Sequence, residues 1–82
     1  DVYSCGVVFY EIFTGRRPFD APTAFQLMML HAESKPLPPA RLRDGLPVEI
    51  DQAILRALEK EPSSRFGSAA EFLDAFRGKE PR

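Results

Sequence analysis

The side chains from which most reaction centres are assembled are scarce in this 82-residue chain, which has one cysteine and one histidine. A lone Cys5 cannot close an internal disulfide, and no Cys/His cluster has the spacing that holds zinc. Its place in an apolar stretch suits a packing role in a reducing compartment. His31 has no nucleophile at a usable spacing, so it reads as a surface or partly packed ring. No Gly-rich run of the kind that cradles phosphate is present. The formal net charge of −1 leaves no excess of either sign to draw in nucleic acid or an anionic membrane. No apolar stretch reaches the ~20 residues of a membrane-spanning helix. The chain opens with Asp1 rather than Met or a basic region, which predicts no signal peptide and a cytoplasmic location. No strand pattern is found either, so the expected fold class is all-α.

Four helical segments joined by proline-rich connections are present instead. The first fifteen residues, DVYSCGVVFYEIFTG, form a helix that is apolar on every face, with Gly15 as its stop. Such a helix belongs inside a larger core. A chain of this length buries only ~60% of the surface its unfolded form exposes, so one apolar face should stay bare. A helix that apolar, starting at the first residue, points to a cut from a longer protein.

A second helix runs from about Thr23 to Glu33. Thr23 and Gln26 have capping-box spacing. Phe25, Met28, Met29 and Ala32 share a face, with Leu27 and Leu30 widening the apolar surface, and Met28–Met29 reads as packing. Ser34 to Leu46, with Pro36, Pro38, Pro39 and Gly45, reads as an extended connection. A third helix starts at Pro47, with Ile50, Ile54, Ala57 and Leu58 inside and Glu49, Gln52, Arg56, Glu59 and Lys60 outside. The last helix takes Ser68 as N-cap and Glu71 as capping-box partner. Its stripe is Ala69, Phe72, Leu73 and Phe76, and Gly78 closes it. The first helix should be central, with the other three packed on one side of it. Residues 79–82 read as a polar tail or the start of a linker.

Among the charged residues, Asp20, Glu33, Asp51 and Glu59 form no recognisable carboxylate pair and read as solvated. Asp1 heads the apolar helix, where its carboxylate can accept backbone N–H bonds from its own helix or a neighbouring loop. Arg65 sits in the turn Pro62–Gly67 beside Phe66, a setting in which arginine often pairs with a buried carboxylate. No carboxylate of this chain is an obvious partner.

These residues match a family. DVYSCGVVFYEIFTGRRPFD resembles the helix and following loop deep in the large lobe of protein kinases, and ALEKEPSSRFGSAAEFL resembles the helix–turn–helix near the end of that lobe. The Asp-x-x-Ser-x-Gly start, the Gly-x-x-Pro-Phe stop and the Pro-x-x-Arg-Phe turn stand in one frame and in the right order. Tyr3, where tyrosine kinases tend to have Trp, favours the Ser/Thr branch. The proline-rich joint and the Ser-Ala-Ala-Glu-Phe-Leu ending resemble bacterial kinases of the eukaryotic type.

The resemblance implies that residues 1–78 are the C-terminal part of a kinase catalytic domain, an incomplete protein-kinase-like fold. It implies that Asp1 bonds the backbone of the catalytic loop. Val8 and Ile12 would support the apolar column that ends on the ATP adenine. Arg65 would pair with the glutamate that closes the activation segment. In some kinases the residue matching Glu11 touches a substrate arginine. The helix from Thr23 matches a docking helix for substrates and regulators. The parent would be an ATP- and Mg-dependent serine/threonine kinase acting on protein substrates, while this segment alone holds no catalytic, cofactor-binding or metal-binding residue and should be inactive. Its partner would be the rest of the kinase domain. The rival expectation is a free-standing helical interaction module that uses the Met-rich second helix as a groove ligand.

Overall fold

A computed structural model describes residues 1–77, all of them but the side chain of Arg77. Regular structure among them is entirely helical: α1 (Val2–Thr14), α2 (Ala24–Glu33), α3 (Pro39–Leu42), α4 (Val48–Ala57), a 3₁₀ turn (Pro62–Ser64) and α5 (Ala69–Arg77). The expected Gly78 stop and the 79–82 tail lie outside the described residues.

Local chemistry sets the helix ends. The Asp1 carboxylate accepts the Ser4 N–H at 2.8 Å, which satisfies one of the donors a helix start leaves unpaired. At the other end Gly15 turns left-handed, with φ 76°, and donates its N–H to the Glu11 carbonyl. Thr23 caps α2 through the Gln26 N–H at 3.1 Å. Ser68 accepts from the Glu71 N–H at 3.2 Å. The Glu71 carboxylate reaches back to the Gly67 N–H at 3.0 Å, one residue before the cap itself.

The core lies where α4 meets α1 and α5. Ile50, Ile54, Ala57 and Leu58 of the α4 segment are all buried, as their spacing predicts. At Gly6 helices α1 and α4 approach closely: a Cβ added there would stand 2.8 Å from the Ala57 Cβ. Tyr10 is 1% exposed, and its hydroxyl donates to the Leu37 carbonyl at 2.6 Å, pinning the proline-rich connection across the end of the core. On the other side Phe9 meets Phe72 and Phe76 with ring centroids 5.1 Å apart in both cases. Such rings add packing and edge-to-face attraction beyond their buried area.

Five expectations change. The Ser34–Leu46 connection is not wholly extended: it contains α3, whose Pro39 is buried. Asp51 is not solvated. It is buried, and its carboxylate accepts the Ala40 N–H at 2.8 Å, satisfying a donor in the first turn of α3. The three other long helices do not all pack on α1: α4 and α5 do, joined by α3, but α2 buries no residue. Within α2 the expected packing face points to solvent, with Phe25 and Met28 66% and 59% exposed, while Leu27, Leu30 and His31 are partly covered. Leu73 likewise stands off the buried stripe of α5.

Two substitutions check this packing. Asp51→Ala leaves the Ala40 N–H without its partner, and should lower unfolding stability in denaturant titration by about 1–3 kcal/mol. Gly6→Ala gains ~1 kcal/mol of helix propensity. It also forces α1 off α4 at Ala57, where overpacking costs about 1–3 kcal/mol, so a net loss is expected.

Candidate functional site

The α1 helix presents two different surfaces, and the residues singled out in the sequence divide between them. Ser4, Val8, Glu11 and Ile12 follow helical spacing along its outer side and all are exposed. Val8 and Ile12 are 55% and 64% exposed. Ser4, Cys5, Val8 and Phe9 line a shallow apolar hollow of about 220 Å³. Behind it Cys5 packs against the Ala53, Ala57 and Phe72 cluster, as a small hydrophobe would. The expected bare face is therefore present, and it lies opposite α4.

Asp1 and Arg65 come together elsewhere. With Tyr3, Met28, His31, Ala32 and Lys60 they line an open cavity of about 430 Å³ at the N-terminal end of α1. Arg65 is not left without a partner. Its Nε donates to the Glu59 carbonyl at 2.6 Å and an Nη to the Lys60 carbonyl at 3.1 Å. These carbonyls follow the end of α4, where a cation is favoured by the helix dipole. The guanidinium also lies over the Tyr3 ring, 4.9 Å from its centroid.

Around this pair the structure assembles a group that sequence reasoning missed. The Tyr3 hydroxyl lies 2.6 Å from His31 Nδ1. The His31 ring stands edge-on to Tyr3 at 5.7 Å and to Phe19 at 4.9 Å. Lys60 donates to the His31 carbonyl at 2.7 Å and sits 4.7 Å from the Phe19 ring centroid. Burial, then the Lys60 charge, holds the His31 pKa below its ordinary value. Burial and Arg65 lower that of Lys60 in turn, against a smaller opposing effect from Glu59. Burial raises the Tyr3 pKa, opposed by Arg65. The contacts join residues 28 and 29 positions apart, beyond the reach of any helical periodicity. The only local hint was Phe19, an aromatic residue in a proline-flanked loop.

Chemically this group can hold an anion or an acceptor. Two cations are fixed by carbonyls and rings, with Tyr3 beside them. Both cations already serve main-chain carbonyls, and among the described residues no group of three His, Cys, Asp or Glu side chains is placed to hold a metal ion. No described helix is long and apolar enough to cross a membrane.

The carbonyl contacts change the expectation for Arg65. Arg65→Ala should destabilise the chain by about 1.5–3 kcal/mol, the range for hydrogen bonds involving a charged group. Arg65→Lys should recover little, since an ammonium cannot reproduce the forked geometry. Denaturant midpoints of the two variants measure both effects.

Comparison with known proteins agrees with this architecture. No family model matches the chain. It is 39% identical over 74 residues to a probable serine/threonine-protein kinase of Clostridium acetobutylicum, a match covering 90% of this chain and 11% of that protein. It is 41% identical over 71 residues to the serine/threonine-protein kinase PknB of Mycobacterium leprae, covering 87% of this chain and 11% of the kinase. Against the serine/threonine-protein kinase PksC of Streptomyces coelicolor it is 36% identical over 74 residues, 90% of this chain and 13% of that protein. The chain thus spans about a tenth of the length of the relatives it matches. With its all-helical fold, it belongs with the bacterial serine/threonine protein kinases, as the C-terminal part of the large lobe of their kinase domain.

Proposed function

We propose that this chain is the scaffold and docking part of an ATP-dependent protein kinase that phosphorylates serine and threonine on protein substrates. The observation that carries this reading is the outer face of α1, where Val8 and Ile12 lie exposed beside an apolar hollow on a helix whose other side is core. Large apolar side chains grouped on one helix face mark a missing partner, and the kinase relationship supplies one: the rest of the large lobe. In this reading Val8 and Ile12 pack under the apolar column that reaches the adenine. Asp1 exchanges its cap bond for the backbone of the catalytic loop. The Arg65 cavity receives the carboxylate that closes the activation segment. ATP and Mg belong to the other parts of the domain in this reading, and a substrate contact is assigned to Glu11, whose exposure on α1 is compatible with it.

The exposed Phe25, Met28 and Met29 of α2 favour a docking role for that helix, within the kinase or as the free-standing module. The two differ in what they need. The module binds its partner as the chain stands, whereas the kinase scaffold acts only as part of a whole domain.

The test is a graft. This chain should replace the matching stretch of Mycobacterium leprae PknB and preserve ATP-dependent phosphorylation of a basic protein. Ile12→Lys should sharply reduce activity in the graft, yet alter the stability of the 82-residue chain by less than about 0.5 kcal/mol, as at other exposed sites. The chain alone should transfer no phosphate. Transfer by the chain alone, or full activity of the Ile12→Lys graft, would overturn the reading.

A further inference from the structure

We propose that His31 is a proton-operated catch for α2: the neutral ring holds the helix against α1 and the turn before α5, and protonation releases it. The inference concerns this chain alone and goes beyond the kinase reading.

The α2 helix is the loosest long element of the described fold, since none of its residues is buried. Its firm polar attachments to the body converge on one residue. The Tyr3 hydroxyl of α1 meets the His31 ring at Nδ1, and Lys60 meets the His31 carbonyl. The neutral ring with its proton on Nε2 leaves Nδ1 free to accept the hydroxyl hydrogen. Phe19 also packs edge-on against the ring, with centroids 4.9 Å apart.

The charges around the ring are unfavourable to imidazolium. Lys60 and Arg65 approach from the turn after α4, and both are fixed by main-chain carbonyls. Glu59 stands next to Lys60 but is exposed. From α1, Asp1 lines the same cavity, and its carboxylate is engaged by the Ser4 N–H. The loop that carries Phe19 also carries Arg17 and Asp20, which pair with each other at 3.8 Å. On α2 itself Glu33 is exposed. A protonated ring could still donate to the Tyr3 oxygen, so the cost lies first in taking a charged ring out of water and then in setting it beside the Lys60 ammonium.

The sign follows from linkage. The docked ring has a pKa below the ordinary 6.5, so the released helix binds more protons than the docked one. Docking is therefore fully supported above about 6.5 and is lost as pH falls through the lower value of the docked ring. Between the two values the docking constant falls by about tenfold per pH unit.

His31 is the chain's single histidine, so its ring signals in an NMR titration need no assignment. The 82-residue chain is titrated from pH 8 to 5, and again with Ile12→Lys at the far end of α1 to limit association. The expected result is a His31 midpoint below 6.5, with the neutral proton on Nε2. The amides of Leu27 and Leu30 should lose protection with the same midpoint, while those of Ile54 and Phe72 keep theirs. Tyr3→Phe should move the midpoint up towards 6.5, and His31→Gln should abolish the response of α2 to pH. A midpoint at or above 6.5, a neutral proton on Nδ1, or α2 amides indifferent to the titration would each overturn the proposal.

Discussion

The close approach of α1 to α4 at Gly6 is the constraint on which the other contacts depend. With no side chain at Gly6 and a small one at Ala57, the two helices come close, so that Tyr10 joins the Ile50, Ile54 and Leu58 cluster and Phe9 packs against Ala53, Ala57 and Phe72. Tyr10 then closes one end of the core under the proline-rich connection. Phe9 closes the other by meeting Phe72 and Phe76 of α5. A larger residue at position 6 would separate both sets of contacts at once. The result is a thin body, with a shortest extent of 14 Å, about that of two packed helix layers. A body that thin cannot wrap an all-apolar helix, and this is the physical cause of the exposed Val8 and Ile12.

Polar groups are settled by the same economy of short connections. Helix starts are closed by Asp1, Thr23 and Ser68, and α3 is served by a carboxylate borrowed from α4. The carbonyls that follow α4 are closed by Arg65. The buried Asp51 and the partly buried Arg65 are thus both explained by main-chain groups that would otherwise lack partners. The arginine keeps one side towards an open cavity, which is where a partner carboxylate would enter in the proposed kinase.

Much of the fold was legible because it rests on local rules. The Asp1, Thr23 and Ser68 caps, the Gly15 stop and the inner face of α4 follow from spacing within one or two helical turns. The apolar circumference of α1 announced its bare face. Elsewhere local rules failed for identifiable reasons. In α2 apolar residues stand on every side, so periodicity could not tell which side would be covered, and it favoured the bulkier Phe25 and Met28. A helix as short as α3 has too few residues to show a period, and its support comes from Asp51, eleven residues away. The site divides in the same way. Asp1 as a cap and Val8 and Ile12 on one face were readable, whereas the meeting of Tyr3, Phe19, His31, Lys60 and Arg65 is purely tertiary.

The central claim, that the outer face of α1 is an interface with the rest of a kinase lobe, is tested most directly by thiol labelling. Ile12→Cys, in a Cys5→Ala background, is labelled in the 82-residue chain and in the same chain grafted into the Mycobacterium leprae PknB kinase domain. The account predicts rapid labelling in the chain alone and strong protection in the graft. Equal, rapid labelling in both would contradict it.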